Sequence, residues 1–90
     1  MSLPEDKPLS LARQYRFQWE PAQDAFVLLY PEGLIKLTES AGQIIKRIDG
    51  HASVNDIVAD LEQAFPDADL RQDVVEFLEE IHDKGWIRIV

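Results

Sequence analysis

Hydrophobic positions change their period once along this chain, near residue 38. From Tyr15 they alternate: Tyr15, Phe17 and Trp19 point one way and Arg16, Gln18 and Glu20 the other. A period of two predicts a half-buried strand. Pro21-Ala22-Gln23-Asp24 then turns the chain into Ala25–Tyr30, which is apolar at odd and even positions alike and so suits a central strand covered on both faces. Pro31-Glu32-Gly33 is a second turn, with Pro early and Gly closing it, and Leu34–Leu37 completes a three-stranded antiparallel meander with two edges.

Beyond Thr38, a good helix N-cap, the spacing becomes helical. Ala41, Ile44, Ile45 and Ile48 predict helix one over Glu39–Ile48, which Asp49-Gly50 stops. Ser53 with Asp56 has the form of a capping box and opens helix two, whose stripe is Val54, Ile57, Val58, Leu61 and Phe65 before Pro66. Asp69 with Gln72 opens helix three in the same way, and Leu70, Val74, Phe77, Leu78 and Ile81 line its buried side until Gly85. Trp86–Val90 is short and rich in branched residues, which predicts a last strand that returns to the sheet or closes the core. Residues 1–12, with two prolines and no period, predict a flexible N-terminal arm. The whole is an α+β domain of winged-helix-like character: an N-terminal meander, three helices and a short C-terminal strand.

Charge narrows the choice of function. Of a formal net −8, residues 51–90 carry −7, from ten acids against three bases. So acidic a helical half repels phosphate backbones, whose affinity rests on clustered Lys and Arg, and this counts against the competing reading as a winged-helix DNA-binding regulator. There is no cysteine for a disulfide, thiolate ligand or redox couple. The start lacks a signal peptide's basic and apolar regions and no run reaches the ~20 apolar residues of a membrane span, so a cytoplasmic location is expected.

Catalytic or metal chemistry is not visible in the pattern. His51 and His82 share no ligand spacing, the four glycines are isolated, and Ser40 and Ser53 are accounted for by helix starts. An acidic carrier with a prosthetic group on serine would need a serine beside Asp at a helix start, which Asp69-Leu70 lacks. No catalytic residue, cofactor or metal is therefore assigned. The aromatic set Tyr15, Phe17, Trp19, Phe26 and Tyr30 reads as core packing, since a base-stacking platform would interleave Lys and Arg. Asp73, Glu76, Glu80 and Asp83 form a stripe on helix three that points outward in a row; it is a solvated face or a docking surface for a basic partner.

What remains is backbone. The strand Leu34–Leu37 (Leu34, Ile35, Lys36, Leu37) is a candidate edge with unpaired N–H and C=O groups, to which an extended peptide can add as another strand. Helix three offers a wall, with Arg71, Val75, Leu78 and His82 on one flank at i, i+4, i+7 and i+11. Lys36 and Arg71, cations in an acidic surround, favour an acidic peptide. The bland alternative has Val75 merely broadening the core and Trp86–Val90 pairing with Leu34–Leu37, which closes the groove. The two edges also allow a strand-paired or swapped homodimer.

Leu28-Leu29-Tyr30-Pro31-Glu32-Gly33, followed by a strand, a cap, Ser40-Ala41 with Ile44-Ile45, Asp49-Gly50 and Ser53-Val54, resembles the PqqD family, as do Phe77-Leu78 and Gly85-Trp86-Ile87. The likeness spans about residues 13–88, and it marks 13–90 as a single PqqD-like peptide-binding domain. Where other members carry Asn at the helix-one cap this chain has Thr38, and both residues cap well. The resemblance implies a non-enzymatic peptide chaperone of pyrroloquinoline quinone biosynthesis. Such a protein binds the precursor peptide PqqA and presents it to the radical SAM enzyme PqqE for its first carbon–carbon cross-link. It further implies a recognition element in which the peptide lies between the third strand and third helix, here Leu34–Leu37 and Arg71–His82. On that basis the stripe Asp73, Glu76, Glu80 and Asp83 is assigned to docking of the enzyme.

Overall fold

The computed structural model describes residues 3–90. Eight elements follow in order: β1 (Leu9–Leu11), β2 (Arg16–Glu20), β3 (Ala25–Tyr30), β4 (Gly33–Lys36), α1 (Glu39–Ile45), α2 (Val54–Ala64), α3 (Arg71–Asp83) and β5 (Ile87–Ile89). The meander forms as its pattern predicts, in the order β2-β3-β4, with Trp19 opposite Phe26 and Leu28 opposite both Phe17 and Ile35. Val27 and Leu28 point to opposite faces and are both fully buried, which is why the central strand carries no charged side chain. The turn into β3 places Asp24 at φ +50, a left-handed conformation that a short polar side chain tolerates.

Capping explains two of the three helix starts. Thr38 Oγ1 accepts from the Ala41 N–H at 3.1 Å, so strand and helix join without a spacer. Ser53 and Asp56 make the reciprocal capping box, at 3.2 and 3.0 Å. The box expected at Asp69 and Gln72 does not form. Leu70 takes the N-cap position without a side-chain bond, and Gln72 instead donates along the helix to Glu76 at 3.2 Å. α3 ends in a Schellman motif: Gly85 at φ +80 lets its own N–H reach the His82 carbonyl and the Trp86 N–H reach that of Ile81. α1 is shorter than predicted, closing in turns after Ile45, and Asp49 Oδ1 then bridges to the N–H groups of His51 and Ala52, each at 2.8 Å.

The N-terminal end departs from expectation, and at the C-terminal end the strand closes the core through Ile87 instead of joining the meander. Residues 9–11 do not belong to a flexible arm: β1 pairs antiparallel with β5, Leu9 opposite Ile89 and Leu11 opposite Ile87. Leu9 is fully buried and Leu3 nearly so, while the Leu9 N–H and C=O bond to Ala52 and Gly50. Met1 and Ser2 lie outside the described residues. The C-terminal strand exists, but it joins β1 rather than the meander. The core lies between: Leu9, Leu28, Ile45, Ile57, Leu78 and Ile81 meet there from five different elements and are all at 1% exposure or less. No helix among the described residues is long and apolar enough to cross a membrane.

Candidate functional site

With β5 committed to β1, β4 is an edge that no strand covers among the described residues. Along it the side chains alternate. Leu34 (47% exposed) and Lys36 stand on the outer face, whereas Ile35 is half-buried and Leu37 buried on the core side. Lys36 has no ion-pair partner among the described residues, so its charge is available to a neighbour.

The helix-three flank singled out in the sequence is turned elsewhere. Leu78 is fully buried in the core and cannot line a groove. The Arg71 guanidinium is held by Glu5 at 2.5 Å and by Asn55 Oδ1 at 3.0 Å, and the Asn55 N–H donates to the Glu5 carbonyl. Two turns on, Glu79 accepts from the Leu3 N–H. Val75 is half-buried against the core. His82 is half-buried too, with an Nδ1 that lacks a partner. At 3.6 residues per turn Arg71, Val75 and His82 lie on one side of the Val74–Leu78–Ile81 core stripe, and that side faces residues 3–5.

On the other side of the stripe, Asp73 and Phe77 face the exit of β4. They share a cavity of about 840 Å³ with Thr38, Ala41 and Ile44 of α1, Phe65 at the end of α2, and Leu70. The lining is apolar, with Asp73 and Glu39 its only carboxylates. Phe65 is 45% exposed, so the cavity opens to solvent. At the far end of β4, Tyr30 lies 5.8 Å from Tyr15, Tyr15 lies 6.1 Å from Trp86, and Lys84 Nζ stands 5.6 Å over the Trp86 ring. An apolar cavity thus lies just beyond the end of β4, beside Asp73 and Phe77 of α3, and an aromatic cluster lies by the turn before β4, with Trp86 just past α3. Of the helix-three residues singled out in the sequence, Leu78 is buried and Arg71, Val75 and His82 lie toward residues 3–5, whereas Phe77 lines the cavity. Phe65 and Phe77 were legible only as members of core stripes, because periodicity marks which residues are apolar and not which ones the tertiary structure leaves partly uncovered.

Asp73, Glu76, Glu80 and Asp83 are all exposed, with Glu80 3.6 Å from Lys84. The donated N–H groups of His51 and then Ala52 hold the Asp49 carboxyl below the usual value of 3.8.

Comparison with known proteins agrees with this architecture. Residues 25–87 match the family described as "Coenzyme PQQ synthesis protein D (PqqD)". A "PqqA binding protein" of Pseudomonas aeruginosa is 50% identical over 91 aligned positions, covering 99% of each chain. Another, from Acinetobacter baylyi, is 55% identical over 76 residues, 83% of this chain and 77% of that one. Among solved structures, the PqqD truncation of Methylobacterium extorquens PqqCD superposes with a TM-score of 0.75 at 26% identity, over 97% of this chain and 95% of its own; it is described as a functional, stand-alone recognition element for ribosomally synthesized and post-translationally modified peptides. A match over most of the chain, together with relatives at half identity along nearly its full length, shows that this protein belongs to the PqqD family.

Proposed function

We propose that this protein is a non-catalytic peptide chaperone of pyrroloquinoline quinone biosynthesis that binds the precursor peptide PqqA along β4 and presents it to the radical SAM enzyme PqqE. The observation that carries the reading is the β4 edge, free of any strand among the described residues and flanked by an apolar cavity. Its relatives from Pseudomonas and Acinetobacter are named for binding PqqA. A peptide added there gains main-chain hydrogen bonds from Leu34–Leu37, while Phe77 and the cavity take an apolar side chain and Lys36 an acidic one. Binding is moderate, because ordering a flexible segment costs about 2–5 kcal/mol of the gross interaction. Arg71, Val75, Leu78 and His82 then support the helix instead of touching the peptide.

Titration with PqqA, followed by amide NMR, tests this. Shifts concentrated at residues 33–38 and 73–84 are expected; shifts confined to α2 or to the β1–β5 ribbon reject the site. The outward stripe Asp73, Glu76, Glu80 and Asp83 is proposed to dock PqqE. The pair of changes Glu76→Lys and Glu80→Lys should slow cross-linking and leave peptide affinity unchanged, and an equal loss of both would contradict the assignment.

A further inference from the structure

One face of the meander carries apolar side chains that the fold leaves without a cover. Side chains alternate along each strand, so the ladder rows Arg16–Leu29–Leu34 and Gln18–Val27–Lys36 stand on the outer face, whereas the row Phe17–Leu28–Ile35 faces the core. An antiparallel sheet with one solvated face carries polar residues there, yet β3 presents Ala25, Val27 and Leu29. None of Val27, Leu29 and Leu34 belongs to the core cluster or packs against it. Val27 is fully buried between its ladder neighbours Gln18 and Lys36, Leu29 is half-buried, and Leu34 is 47% exposed. Arg16 and Lys36 flank this apolar strip as exposed cations, with no ion-pair partner among the described residues, in a chain of formal net charge −8. The one carboxylate of these three strands, Glu20, is turned to the Ala22 N–H at 3.1 Å.

Resting on the reading that this chain presents PqqA to PqqE, we propose that this outer face docks an acidic amphipathic helix of the enzyme. A sheet that is apolar on both faces is completed by a layer on each, and here only the core side has one. With strands about 4.8 Å apart the face is about 10 Å across from β2 to β4, the width of a single helix at about 10–12 Å. Apolar residues of such a helix cover Leu29 and Leu34, and carboxylates on its flanks meet Arg16 and Lys36. A second copy of this chain does not suit the face, because it sets the same two cations against each other. The acidic stripe of α3 calls for the opposite charge, so the two surfaces take different parts of the partner. Lys36 borders the peptide edge, whereas Arg16 and Leu29 stand clear of it and separate the two roles.

Methyl NMR of the PqqA-loaded chain titrated with PqqE tests the docking, with calorimetry giving both affinities and circular dichroism confirming that each variant folds. Shifts at Val27, Leu29 and Leu34 on adding PqqE are expected. Arg16→Glu and Leu29→Thr should each raise the dissociation constant for PqqE about fivefold or more and leave that for PqqA unchanged. Gln18→Lys adds a cation to the same face and should tighten PqqE binding, which a purely structural role does not produce. Arg16→Glu and Leu29→Thr chains that bind PqqE like wild type, or a Gln18→Lys chain that gains nothing, overturn the proposal. Val27 and Leu29 shifts that grow with concentration in the free chain assign the face to a second copy and overturn it too. With PqqA affinity intact these results remove the docking alone, whereas a wild-type chain that binds no PqqA removes the peptide role and the docking with it.

Discussion

Gly42 shows how a single missing atom fixes a packing distance. A Cβ there would stand 2.6 Å from Phe26 Cδ2 and 3.2 Å from its Cβ and Cγ, so α1 can approach β3 only because residue 42 has no side chain. Phe26 has little room to yield, being held between Phe17 and Trp19. Gly42→Ala should therefore destabilise by about 1–2 kcal/mol, the overpacking exceeding the roughly 1 kcal/mol that alanine gains in a helix, measured by urea denaturation. Asp49 acts through charge. Its carboxyl is depressed by the His51 and Ala52 N–H groups, so its contribution is complete above the usual 3.8 and lost as pH falls through the lower folded value. Asp49→Asn should lower the urea midpoint at neutral pH, and the gap to wild type should close as the pH falls through the depressed folded value.

At the scale of elements, the question is which flank of α3 meets the peptide. The Arg71 side is bound to Glu5 and Asn55 and faces the N-terminal segment, whereas the Phe77 side faces the exit of β4. Calorimetric titration with PqqA separates them. Phe77→Ala and Lys36→Glu should each weaken binding about tenfold, a little over 1 kcal/mol, while Arg71→Ala leaves affinity unchanged. Breaking the half-exposed Arg71–Glu5 pair should alter stability by no more than about 1 kcal/mol. The sequence named both segments because an edge strand and an amphipathic helix each carry their own period. It could not tell the two flanks apart because Val75 and Phe77 are both apolar neighbours of the stripe, and only the path of residues 3–5 decides which side that segment covers.

For the whole molecule, the β1–β5 ribbon determines what is left open. It ties the two chain ends together, buries Leu9 and keeps the C-terminal strand away from β4. Deleting residues 1–12 removes Leu3 and Leu9 from the core, and at about 1.5–3 kcal/mol for each buried leucine the loss should be 3 kcal/mol or more, read as a fall in the denaturation midpoint. Retention of wild-type stability after this truncation would mean that the segment is an arm after all.

Local pattern alone settled the meander, the three helices and the Thr38 and Ser53 caps, because periodicity, turn chemistry and capping act over a few residues; the open margin of the sheet was decided by the β1–β5 pairing. Tertiary structure decided the rest. Leu9 meets Ile89 across nearly the whole chain, a pairing with no local signature in three residues that follow two prolines. Which face of α3 stays open depends in turn on where that distant segment lies. Short-range interactions wrote the elements, and contacts remote in sequence chose which of their surfaces stay uncovered.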